Sequence, residues 1–148
     1  MKKLLFIILS MLLFFSSSVF GAGSYTITSP GTKEHYTVEI VWISDGSGDV
    51  SGTKTVQVSG VLLGVEFIPG TGLSDEYVVT VTNANGVDVL MGVGASCSNV
   101  ATGTGNFRTP LTSDGAYIDL FKAELKPVVA AAGDTKTGTI RLYIKRFD

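Results

Sequence analysis

From His35 onward, apolar and polar residues trade places at every second position over long stretches. Only an extended strand turns that period into one dry face and one wet face. In His35 to Ser44, Tyr36, Val38, Ile40 and Trp42 share one face, and His35, Thr37 and Glu39 share the other. The same rhythm predicts a strand in Thr53 to Val58, with Val56 and Val58 inward. It predicts another in Val61 to Ile68, with Val61, Leu63, Val65 and Phe67 alternating against Leu62, Gly64 and Glu66. Tyr77, Val79 and Val81 alternate with Val78, Thr80 and Thr82, and in Thr139 to Arg146 the residues Ile140, Leu142 and Ile144 point in while Arg141, Tyr143 and Lys145 point out.

Turn chemistry separates these runs. Residues Ser44 to Gly52 are almost all Ser, Asp and Gly, and Pro69-Gly70-Thr71-Gly72 stops the strand before it. Asn85-Gly86 sits between two strand-like arms and predicts a two-residue hairpin, with Val87 to Gly92 as its second arm. Gly92 to Gly105 is small and polar and reads as a long loop. Asn106 to Leu111 reads as a short edge strand limited by Pro110, and Tyr117 to Leu125 as a further segment ending before Pro127. Asp119 to Leu125 and Val128 to Ala132 could each form a helical turn instead. With seven to nine short strands at intervals of about 8 to 12 residues, the expectation is all-β: an antiparallel β-sandwich of Ig-like or jelly-roll topology.

The beginning of the chain has a different character. Met1-Lys2-Lys3 precedes an apolar run from Leu4 to Phe15 broken only by Ser10, and small residues follow at Val19-Phe20-Gly21-Ala22. That is the three-part layout of a secretory signal, and it predicts a signal helix over 1–21 cut after Gly21, with a domain over 22–148. The alternative is a retained membrane anchor. Either way the expected location is exported: periplasmic, cell surface or secreted.

Charge and cysteine content narrow the chemistry. With Lys2 and Lys3 removed, the 11 basic residues become nine against 13 acidic ones, a net charge of about −4. Such a domain lacks the basic stripe that nucleic acid requires. Cys97 is the only cysteine, so the core must hold the fold without an internal disulfide, and Cys97 is expected to be a small buried or semi-buried side chain, with an intermolecular bridge or catalytic thiol as the lesser alternative. One His and one Cys are too few for a zinc site, and His35 reads as a surface histidine on a strand. Gly94-Ala95-Ser96-Cys97-Ser98 lacks the last glycine of a nucleophile elbow, and the glycine pairs Gly92/Gly94 and Gly103/Gly105 lack the third glycine of a phosphate loop. Asp45 and Asp49 read as Asx-type turn chemistry, with a weak calcium site at a hairpin tip as the lesser alternative. Trp42 reads as a core anchor, and Tyr25 and Tyr143 as candidates for a binding surface. The chain therefore reads as a non-enzyme with no catalytic, cofactor-binding or metal-ligating residues and no cofactor.

Several segments carry a resemblance. Val41-Trp42-Ile43-Ser44-Asp45 with Gly48 to Thr53, Val65 to Gly70, Asp75 to Val81, Asp88 to Gly94 and Gly138 to Tyr143 resemble small β-rich proteins encoded among tailed-phage virion structural genes. The resemblance implies a virion component, such as a head decoration or accessory protein, and brings no catalytic residues. A secretory leader departs from the cytoplasmic assembly of tailed phages. It implies an envelope-directed copy, action at the host surface, or a leader that serves as an anchor. The expected function is thus a structural or interaction module, a phage-related virion or surface accessory protein. Its partners would be capsid or other virion proteins or a second copy of itself. The alternative is an exported cell-envelope binding module, adhesin-like or carbohydrate-binding, with a glycan as ligand. Membrane contact would come only through the leader.

Overall fold

A computed structural model describes residues 23–29, 34–52, 54–70, 73, 76–97 and 105–147. The expected signal helix and residues 98–104 of the expected long loop lie outside these. The described residues form eight strands: β1 (Ser24–Thr28), β2 (His35–Ile43), β3 (Val50–Ser51), β4 (Val56–Pro69), β5 (Val78–Thr82), β6 (Asn106–Arg108), β7 (Ile118–Ala130) and β8 (Thr137–Lys145). The described residues contain no helix. All pairings are antiparallel and join into one curled sheet ordered β1-β2-β8-β4-β7-β3, with β5 also on β7 and β6 also on β4.

The period-two segments of β2, β5 and β8 fold as their patterning dictates. β8 lies between β2 and β4, and its Ile140, Leu142 and Ile144 are buried with Val38, Ile40 and Trp42 of β2. Burying a side chain of this size stabilises by roughly 1.5–3 kcal/mol, so this patch carries much of the hydrophobic driving force. Gly138 sits under the Trp42 ring, where a Cβ would come within 2.4 Å of it. β1, which the alternation left unassigned, pairs with β2 and buries Tyr25, whose hydroxyl donates to the Lys54 carbonyl. The curl brings β1 round to β3: a Cβ on Gly23 would strike the Asp49 carbonyl, and one on Gly52 the Tyr25 ring.

Several expectations are corrected. The two strands expected around Gly60 are one, β4, because Gly60 adopts a φ of 149° and lets the Lys145 carbonyl approach to where a Cβ would be. Within β4 it is Leu62 that is buried, while Val61 and Leu63 are only half-buried. The register against β8 shifts between Leu62 and Gly64, and the extra residue reverses the inward parity before Val65 and Phe67.

The Asn-Gly turn is one residue longer than expected. The Asn83 N–H bonds the Val87 carbonyl, and of the turn's residues only Gly86 has a positive φ, 77°. Its second arm is no strand. The Asp88 carboxylate accepts from the backbone N–H groups of Val81, Leu90 and Gly92 at 3.0–3.1 Å, winding the chain into turns where a ladder was expected.

The stretches 119–125 and 128–132 belong to strand or its exit, not to helical turns, and β7 runs straight through Pro127. A proline is tolerated there because Val81 opposite it sends its own N–H to Asp88 and its carbonyl to Val89.

Candidate functional site

Along β7 the inward residues are Leu120, then Leu125, Pro127 and Val129, a jump in parity that two consecutive exposed residues, Phe121 and Lys122, absorb. They form a β-bulge opposite Ser59, where the β4 register shifts between Val58 and Gly60. Lys122 has a φ of 46°, and its N–H donates to the Ser59 hydroxyl at 3.0 Å. The bulge leaves the Phe121 ring 75% exposed, with the Lys122 ammonium 5.7 Å from its centre and Phe147 6.4 Å away.

Beside this bulge runs an open groove of about 520 Å³. One wall is residues 118–124 of β7, and the other is drawn from the turn segment from Asn83 to Met91; Gln57 of β4, paired with Glu124, also lines the groove. The wall residues Val87 and Met91 are 54% and 46% exposed. The groove exists because the β5–β7 ladder ends at Thr82–Lys126. There Asn83 starts an Asx turn, its side-chain oxygen accepting from the Asn85 and Val87 N–H groups, and the chain leaves β7. A second hollow, lined by Tyr36, Ser59, Arg146 and Phe147 among others, lies nearby; Arg146 stacks 4.9 Å over Tyr36.

The two tyrosines expected at a binding surface part company. Tyr25 is buried in the core. Tyr143 lies on the outer sheet face, donating to Glu66 at 2.7 Å and packing on Phe107 at 5.7 Å. Arg141 bridges Glu39 at 2.8 Å and Glu66 at 3.5 Å, cross-strand neighbours on both sides of it. Hydrogen bonds and coulombic attraction to the two carboxylates hold the guanidinium pKa up. This network satisfies itself and offers no reactive group.

His35 is exposed on β2. The Asp45 carboxylate accepts from the Ser47 and Asp49 N–H groups, and Asp49 from Ala131, so both serve turn geometry. Among the described residues no three or more of His, Cys, Asp and Glu converge on one point. Cys97 is buried, as its isolation suggested, and burial pushes its thiol up to about 11, with Arg108 pulling the other way. Trp42 and Tyr77 pack at 5.5 Å in the core.

The groove is not legible in the sequence because its aromatic rim comes from a bulge, which appears there only as the four residues between Leu120 and Leu125.

No family model and no curated protein matches the chain. Among solved structures, it is similar to the capsular polysaccharide assembling protein CapF from Staphylococcus aureus, at 13% identity and a TM-score of 0.25, covering 84% of this chain and 30% of that one. A structure of CapF with the inhibitor 3-isopropenyl-tropolone aligns at 12% identity and a TM-score of 0.23, covering 84% and 32%. The chain thus spans about a third of the proteins it aligns with.

Proposed function

We propose that the protein is a non-catalytic structural or interaction module, a phage-related virion or surface accessory protein, that holds its partner at the groove beside β7. The observation that carries this reading is the clustering of exposed apolar side chains there: Val87, Met91 and Phe121, with Phe147 against Phe121. Solvent-exposed apolar groups gathered in one place, rimmed by polar ones, are a mark of interaction surfaces. The finer architecture in this reading is a sandwich, with β7 shared between a ladder to β4 and a ladder to β5. The setting, exported and virion- or surface-associated, follows the leader and the phage-like segments of the sequence.

Mass spectrometry of purified particles tests the virion setting: the processed chain is expected in stoichiometric copies. Its absence there would overturn that setting. Phe121→Ser is expected to strip the protein from its assembly while leaving its circular dichroism unchanged, and full retention would exclude the groove as the contact.

A second reading, an exported envelope module that binds a glycan, draws on the exposed Phe121 ring and the Gln57 and Asn85 amides lining the same groove. Saturable binding on a glycan array, lost with Phe121→Ala, would favour it over the first.

A further inference from the structure

The groove has one wall made of backbone. β3 and β4 pair with one edge of β7, through Val50–Val129 and Val56–Leu125, and β5 pairs with the other edge only over residues 126–130. Residues 118–125 therefore have an edge with no strand partner among the described residues, and the groove runs along it.

The pairing also shows which residues present that edge. In a strand, residues facing the same side direct their N–H and C=O groups to the same edge. Val81 turns its own groups away from Pro127. The inward residues of β7, Pro127 among them, therefore direct theirs toward β4, and the outward residues Asp119, Phe121 and Glu124 direct theirs into the groove. All three are exposed groove residues.

We infer that this edge accepts an extended segment of a partner polypeptide as an added strand, an inference that rests on the interaction-module reading above. Unpaired edges template such pairing, with the backbone supplying affinity and pockets for alternate side chains supplying selectivity. Phe121, Val87 and Met91 offer apolar contacts to every second residue of the guest. The charged residues of the groove are Asp88, Asp119 and Glu124 against Lys122, so the guest carries basic residues between its apolar ones.

The test uses three capped decapeptides and the purified full chain: alternating Val-Lys, the same peptide N-methylated at every second amide, and alternating Val-Glu. Fluorescence anisotropy reads affinity, and hydrogen exchange reads the site. The Val-Lys peptide is expected to bind, to slow exchange in residues 118–124, and to bind about tenfold more tightly than either control. Asp119→Pro, which removes one groove-facing N–H without touching the β4 ladder, is expected to cost a similar factor. Equal binding of the N-methylated peptide, with protection of the same residues, would overturn strand addition and leave the interaction module standing. Equal binding of Val-Glu would overturn the basic guest. If no peptide binds and Phe121→Ser still abolishes assembly, the inference fails alone; if Phe121→Ser also changes nothing, both readings fail.

Discussion

The β2-β8-β4 half of the sheet and the seam between β7 and the 83–91 turn are built from similar residues and come out opposite. In the first, β8 has partners on both edges and keeps its alternation unbroken: Ile140, Leu142 and Ile144 are dry, and Arg141 on the wet face meets Glu39 and Glu66. In the second, residues 118–125 of β7 have a described strand partner on one edge only, a bulge doubles the outward residues, and Phe121 is left in solvent. The difference teaches that alternation sets the inward face only as far as no bulge interrupts it.

That contrast can be broken by experiment. Trp42→Ala in the paired half is expected to cost about 3–5 kcal/mol, read by urea unfolding, because the cavity cannot collapse onto the close-packed Gly138 backbone. If the cost were that of a surface position, the paired half would not be the stabilising half.

Alkali should also act on the dry interior. Cys97 has its folded thiol pushed up to about 11 from an ordinary 9.0, and burial raises the Tyr77 hydroxyl in the same direction. Above pH 9 the unfolded chain gives up protons that the folded one keeps, so stability is full below 9 and falls as the pH rises toward 11. Urea midpoints measured across that range check the sign, and Cys97→Ala should flatten part of the slope.

At the seam, Asp88→Ala is expected to cost about 1–3 kcal/mol, because three backbone N–H groups lose their acceptor. Hydrogen exchange should show that loss first in residues 88–92. Back in the paired half, Arg141→Ala is expected to cost no more than about 1 kcal/mol, since the pair is partly exposed and screened. The smallest effect on stability belongs to Phe121→Ala, within about 0.5 kcal/mol, although binding should depend on it most. A large destabilisation there would make Phe121 a packing residue and remove the contrast.

The legible and illegible parts of this molecule divide along physical lines. Strand identity and the core faces of β2, β5 and β8 could be read from residue order, because a period of two is a local property and Val38, Ile40, Val79, Val81 and Leu142 express it without help. The turn at Asn85-Gly86 was legible for the same reason, though not its length. β1 was not, since the strand is short and its burial comes from Tyr25 meeting residues far along the chain.

What the amino-acid order determined is that the described residues are all-β, that the single Cys goes into the core and that the turns carry Gly, Asn and Asp residues. What only the tertiary structure decided is where parity slips, at Leu63 and at Phe121-Lys122, and which stretch of β7, residues 118–125, has an edge with no described strand beside it. A bulge is a mismatch between two strands, and an edge is defined by its neighbours. Neither exists until distant segments pair, so neither the groove nor its backbone wall could be read along one strand alone.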